Sequence, residues 1–365
     1  EEMAKYWTDF INGHIPNFDL TAYEQIDNYV KECWEAIVET AVWAEKELPG
    51  VLEKVSPDIV CVDNVILFPA IKRYARENNK PWVRVISCSE NEIPDPQIPP
   101  HLSGCGENDS ECFSAYQNHF NEVIQPIHDR FNAFLAECGE AAYPVGEFFE
   151  ASPHMNLLLY PEPVKFNRST PLDPGQFQYL EGCVRDEEAY EVPQFKAHND
   201  APLLYVSFGS LGSGDTGLLR RLMDVVSTMP VRALFNVGDY ESEYDTVPDN
   251  VQIASWYPQP SVISQADAVI HHGGNNSFNE CLYFGKPAII MPYVWDGHDN
   301  AKRIAETGHG HHLHRNHWKP KELRATIESM LSNQAMQERL AATSAHMRSE
   351  YGPTKAAAIL DQLLI

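Results

Sequence analysis

The sequence predicts an α/β protein made of two doubly wound domains. Short apolar runs that read as buried parallel strands alternate with amphipathic helical stretches, before and after one polar linker. The length of 365 residues agrees with two domains at roughly 150 residues each. In the second half, the strand-like runs end in Gly-rich turns, where backbone can approach a ligand closely.

Residues 18–47 predict one long amphipathic helix, because Ile26, Val30, Cys33, Ile37, Ala41 and Ala44 recur every three to four positions. Pro49-Gly50 breaks it. Pro57–Asp63 is a short apolar run closed by an acid, a buried parallel strand that carries Asp63 to its C-terminal edge. A helix over Leu67–Glu77 and a strand over Trp82–Ser87 complete a βαβ unit. Residues 91–112 form a loop, 113–138 two helical stretches, and Met155–Tyr160 and Gln178–Val184 strands. The first domain thus spans 1–185, with a charged, Pro-containing linker at 186–200. The second domain, 201–345, holds strands at Leu203–Phe208, Val231–Val237, Asn250–Ser255, Ala268–His271 and Ala288–Met291. Its helices start near Leu218 and Ser277, and 346–365 is a C-terminal helix that packs back on the first domain.

The net charge of −25 speaks against DNA, RNA or an anionic membrane, whose phosphates need clustered Lys and Arg. The charge is uneven: residues 301–350 carry eight basic and five acidic side chains, so a small anion is not excluded. Eight scattered cysteines without CxxC read as reduced, cytosolic usage, with Cys105 and Cys112 as free thiols in a shared loop. No apolar run approaches the roughly 18–20 residues that span a bilayer. Glu1-Glu2-Met3 resembles neither a signal peptide nor a natural start.

Chemistry concentrates in 271–300. An apolar strand runs into His-Gly-Gly and then a helix, whose N-terminal N–H groups and dipole form an anion site. His272 adds a donor, and no carboxylate cluster waits for Mg²⁺. Ser277-x-x-Glu280 is equally a capping box, with Ser277 capping while Glu280 turns outward. Trp256-Tyr257-Pro258-Gln259 offers a ring to stack on a base and an amide for its edge. Ser207-Phe208-Gly209-Ser210 is a Gly-rich strand-to-helix turn.

In this order and spacing the segments resemble the donor motif of family 1 UDP-dependent glycosyltransferases. The resemblance implies the GT-B fold: two facing Rossmann-like domains with the donor site in the C-terminal one. It implies that Trp256 stacks on uracil, with Gln259 near base and ribose and Glu280 on the ribose hydroxyls. His272, Gly274, Asn276 and Ser277 would hold the diphosphate, approached by Ser210, and Asp296 the sugar hydroxyls. The family has Asp-Gln where this chain has Asp296-Gly297, so Trp295 or His298 is expected to compensate.

The resemblance also implies a general-base His oriented by an Asp. Asp63 fits the Asp, whereas His14 in Gly13-His14-Ile15-Pro16 is expected to be a loop residue. The base and the opening βαβα elements are expected before Glu1. Phe113, Tyr116, Phe120, Phe131 and Phe134 are candidates for an apolar acceptor wall. The tract His309, His311, His312, His314 and His317 invites a metal, but a strand with exposed imidazoles is the favoured reading.

The expectation is a cytoplasmic, inverting transferase without cofactor or metal. It moves a sugar, glucose by expectation, from a UDP-sugar to a hydroxyl of a small apolar acceptor. The alternatives are a UDP-sugar epimerase and a non-catalytic UDP-sugar-binding module.

Overall fold

The computed structural model describes residues 2–63 and 68–364. They divide into two compact units. The first holds Leu20–Glu181 with Tyr351–Ile365, and the second Gly182–Glu350 with Glu1–Asp19. Residues 1–19 were expected in the first domain, but they pack on the second unit. Phe18 stacks on Tyr293 at 5.3 Å, and Asn316 Nδ2 donates to Asp19 at 2.8 Å.

In the first unit, β1 (Val60–Val62), β2 (Trp82–Ile86), β3 (Met155–Leu158) and β4 (Phe177–Tyr179) form one parallel sheet in that order. The helix expected over Leu67–Glu77 is Pro69–Asn78, and Leu67 itself lies outside the described residues. Leu52, Val62, Ala70, Ile71, Ala75 and Trp82 close the core between this helix and the sheet. Buried Asn156 ties the far side: its amide donates to the carbonyls of Ser152 and Gln176 and accepts the Ser152 N–H.

The single helix expected over 18–47 is segmented. Residues Ile15–Asp19 are 3₁₀, and a Thr21/Glu24 capping box starts the α-turn Ala22–Gln25. Residues Ile26–Val30 are π-helical, and α-helix resumes over Lys31–Ala44. The wider π-turn rotates the following face, so Trp34, Ala36 and Val38 are buried beside the expected Cys33 and Ala41. Pro49 starts a new helix, Leu48–Val55, because proline fits a first turn, where its missing N–H costs nothing. His14 is the last residue of the helix Glu2–His14, where its Nδ1 donates to the Phe10 carbonyl at 2.7 Å.

The two stretches expected over 113–138 are one helix, Ser110–Glu137, continuous through Pro126. Asp109 caps it by accepting the Cys112 N–H. That start turns Cys112 back toward Cys105, with their Cα atoms 5.8 Å apart, and the two form a disulfide where free thiols were expected. The other six cysteines are free. No helix of the described residues is long and apolar enough to cross a membrane.

In the second unit, six parallel strands follow: β5 (Leu203–Ser207), β6 (Arg232–Asn236), β7 (Val251–Ala254), β8 (Ala268–His271), β9 (Ala288–Ile290) and β10 (Gly310–His312). Their spatial order is β10-β9-β8-β5-β6-β7. The chain therefore proceeds outward from β5 in one direction and from β8 in the other. The C-terminal ends of β5 and β8 form the switch point where a doubly wound sheet receives its ligand. The C-terminal helix Gly352–Leu363 groups with the first unit, where Gly352 N–H donates to Glu181 and Lys355 Nζ to the Tyr179 carbonyl.

The disulfide closes a loop of seven residues' separation. Reduction, or Cys112→Ser, should lower the unfolding free energy of the first unit by about 2 kcal/mol in a urea titration. Thiol counting by mass spectrometry before and after reduction should rise from six to eight, matching the six free cysteines.

Candidate active site

At the switch point two turns touch. After β5, Gly209 (φ +67°) opens a short helix, Gly209–Gly212. After β8 comes His272-Gly273-Gly274, and then the helix Asn275–Tyr283. A Cβ on Gly209 would lie 3.0 Å from the His272 ring, and one on Gly274 2.6 Å from His272 Nε2. The imidazole is thus wedged between the two turns, and its face stacks on Tyr293 at 5.1 Å.

Gly273 has φ +95°, and a Cβ there would come within 2.8 Å of the Gly297 carbonyl. A Cβ on Gly297 would in turn lie 2.7 Å from the His272 carbonyl. This close approach explains the departure at 297: a glutamine has no room there. Trp295, half-buried, precedes it with φ +58°, a conformation few non-glycine residues adopt. Asp296, expected to face sugar hydroxyls, is buried. Its Oδ2 accepts the Asn275 N–H at 3.0 Å and the Asn300 amide at 3.4 Å.

The helix starts at Asn275, two residues before the expected cap, so Ser277 lies inside its first turn and does not cap it. Ser277 Oγ instead accepts from Gln259 Nε2 at 3.0 Å. The same Nε2 donates to Glu280 Oε2 at 2.6 Å, and the Tyr205 hydroxyl donates to Gln259 Oε1 at 3.4 Å. Glu280 was expected to turn outward, but it is buried, and Arg185 pairs with its other oxygen at 3.4 Å. Burial raises its pKa, and the Gln259 amide and Arg185 oppose that rise. Beside this network Trp256 is 55% exposed, with its ring open to stacking. Ser210 and Asn276 are exposed as well.

Like Arg185, a second cation escaped sequence reasoning. Arg315 is buried, and its Nε and Nη2 donate to Asp215 Oδ2 at 3.0 and 2.9 Å. Its guanidinium lies 4.6 Å from the Tyr293 ring, and its Nη1 has no partner, nor has His272 Nδ1. Burial first, and then Arg315, push the His272 pKa down to about 4. At neutral pH the imidazole is therefore an uncharged donor and Arg315 carries the charge. Burial, with His312 and His314 nearby, also lowers His298 to about 3.

In the His tract, the ligand atoms of Asp19, His314 and His317 lie within 4.8 Å of one another. His314 Nδ1, however, accepts two backbone N–H bonds, from Asn316 and His317. Its Nε2 then carries the proton and offers no lone pair, so the cluster does not fit a metal. Of the imidazoles expected to alternate along a strand, His309 is buried between Thr307 and Thr343, and His312 is exposed.

In the first unit, Asp63 follows β1, exposed; burial chiefly raises the pKa of Glu92, Arg84 opposes that rise, and the charge of Asp63 adds to it. Phe113, Tyr116 and Phe120 line a cavity of about 520 Å³. Phe131 and Phe134, named with them, do not line it: Phe131 is core, packed on Tyr143 and Phe148.

Residues 220–363 match the family described as Erythromycin biosynthesis protein CIII-like, C-terminal domain. The oleandomycin glycosyltransferase of Streptomyces antibioticus is 25% identical over 263 residues, 68% of this chain and 60% of that protein. The chain spans less than two thirds of the length of this and the other first curated relatives. The calicheamicin glycosyltransferase CalG4 superposes with a TM-score of 0.72 at 21% identity, covering 92% of this chain and 80% of that one. Spinosyn rhamnosyltransferase SpnG complexed with thymidine diphosphate superposes at 0.64 and 16% identity, covering 93% and 84%. The fold is GT-B.

Two outcomes follow from the packing. His271, His272, His298 and His309 have folded pKa values of about 3 to 4, against an ordinary value of 6.5. Between those limits the unfolded chain binds protons that the folded one refuses. The urea midpoint of the second unit should therefore fall as pH drops from about 6.5 to about 4, these groups contributing nothing above that window. Gly297→Gln should lower the unfolding free energy of the same unit by about 2 kcal/mol or more in that titration, because backbone lies at the clash.

Proposed function

We propose that this chain is a family 1 glycosyltransferase that moves a sugar from a UDP-sugar to a hydroxyl of a small apolar acceptor. The observation that carries this is the Gln259–Ser277–Glu280 network beside exposed Trp256. A half-buried amide shared by a hydroxyl and a carboxylate is preorganised polar lining, and the open indole gives a base its stacking surface. Glucose remains the expected sugar. Thymidine diphosphate bound to SpnG makes the base and ribose the points to test.

In the reaction the acceptor oxygen attacks the anomeric carbon from the face opposite the nucleotide. The bond from that carbon to the diphosphate oxygen breaks, and its electron pair leaves with UDP. Charge then grows on the diphosphate. The first turn of the helix Asn275–Tyr283, neutral His272 as donor and the field of Arg315 are the groups that meet it. These groups take the role a divalent metal would otherwise fill, so no metal is required. Asp63 is the acid that would orient the base receiving the acceptor's proton. An epimerase would need acid and base groups free around the sugar, whereas Asp296 has one oxygen committed to the Asn275 N–H.

Calorimetric titration should show UDP binding about tenfold or more tighter than thymidine diphosphate. The latter lacks the 2′-hydroxyl that Glu280 would accept, worth about 1.5 kcal/mol or more. Equal affinities would remove the uridine reading. Glu280→Ala and His272→Ala should each weaken UDP by about tenfold or more, and EDTA should change nothing. UDP binding without sugar transfer to any phenol or alcohol would leave a binding module.

A further inference from the structure

The first-unit cavity has a definite chemical character. Besides Phe113, Tyr116 and Phe120, the rings of Trp34, Phe148 and Phe149 line it. Trp34 and Phe148 are stacked at 4.2 Å, and Phe149 meets Trp34 edge-on at 5.5 Å, so the wall is rigid. Three carboxylates also line it: Glu92, Asp95 and Glu147. Among the described residues no Lys or Arg does, and the lining imidazole, His101, is neutral because burial, and then Arg84, push it down to about 3.

The carboxylates are not balanced from behind. Among the described residues, Arg84, itself buried, pairs with Glu92 through Oε1 alone, and Glu92 Oε2 is buried without a partner. Asp95 has only neutral donors. Burial works to raise its pKa, but the N–H groups of Gln97, Ser169 and Thr170 and the Ser169 hydroxyl prevail and hold it at about 2. Glu147 is half-buried, and burial raises its pKa. One guanidinium, with the His128 imidazole beside Glu147, therefore stands against three acids. A carboxylate-bearing or phosphorylated ligand would meet repulsion there, and a neutral one would leave the excess uncompensated. A cation among the rings would offset the charge of Glu92, whose Oε2 is unpartnered among the described residues, and gain from the surrounding π-systems.

We propose that this cavity takes an apolar molecule bearing a protonated tertiary or quaternary amine, with the ammonium at Glu92 and the apolar body among the rings. As the acceptor side of a sugar transfer, this rests on the glycosyltransferase reading. The acceptor then carries a cation as well as the hydroxyl that is glycosylated.

Calorimetric titration at neutral pH with (2-naphthylmethyl)trimethylammonium, 2-naphthalenemethanol and 2-naphthoate tests it. The ammonium should bind about tenfold or more tighter than the alcohol, and the naphthoate more weakly than either. Glu92→Gln should cut the preference for the ammonium to about threefold or less and leave the alcohol's affinity unchanged. Glu147→Gln, which leaves the Arg84 pair intact, should reduce the preference by about threefold and decides the matter if Glu92→Gln does not fold. An alcohol that binds as tightly as the ammonium overturns the proposal, as does a preference unchanged in the folded variants. UDP titrated in parallel separates the two readings. Cation preference without UDP binding upholds the cavity and removes the transferase, and UDP binding without cation preference does the reverse.

Discussion

The approach of Gly273 to Gly297 is the constraint on which the candidate donor site depends. Two turns, each leading into a helix N-terminus, meet at the end of the second sheet with backbone against backbone. Neither position tolerates a Cβ. The contact brings the carboxylate of Asp296 to the Asn275 N–H, so a buried charge is met by the positive end of a helix. It also fixes the turn in which His272 lies over Tyr293. One turn further along the same helix, Ser277 and Glu280 reach Gln259.

Burial then sets the electrostatics. Desolvation keeps His272 uncharged, and the neighbouring guanidinium of Arg315 adds to that effect while supplying the positive field itself. An overall charge of −25 conceals this local arrangement, because one buried cation in a low-dielectric setting acts more strongly than many solvated acids. In the first unit the balance is reversed. Arg84 answers only part of the acidity around the cavity, and that cavity is set to attract cations.

The parallel strands were legible because a strand covered on both faces must be a short apolar run, as in Leu203–Ser207 and Ala268–His271. The helical segmentation was not. Apolar spacing over 18–47 is compatible with one straight helix, and the π-turn at Ile26–Val30 is chosen by what its two halves must bury. Pro126 suggests a break that packing overrides, since Ile124, Ile127 and Phe131 are buried on both sides of it. The Cys105–Cys112 bond depended on where Asp109 starts a helix. In the candidate site, Trp256, Gln259, His272, Ser277 and Glu280 were singled out from motif order, and the structure joins Gln259, Ser277 and Glu280 by hydrogen bonds. Arg185 and Arg315 were not, because their partners lie 95 and 100 residues away.

The sequence by itself determined two α/β units, the turns that end β5 and β8, and the residue types gathered there. These follow from local hydrophobic patterning and from glycines whose backbone freedom is read directly. The tertiary structure decided the protonation and the orientation of those residues. Ser277 abandons capping for Gln259, Glu280 is buried rather than outward, and Asp296 holds a helix N-terminus. It also decided that Gly297 cannot be a glutamine. Each of these outcomes depends on which groups share a desolvated space, and that is settled only when distant segments pack.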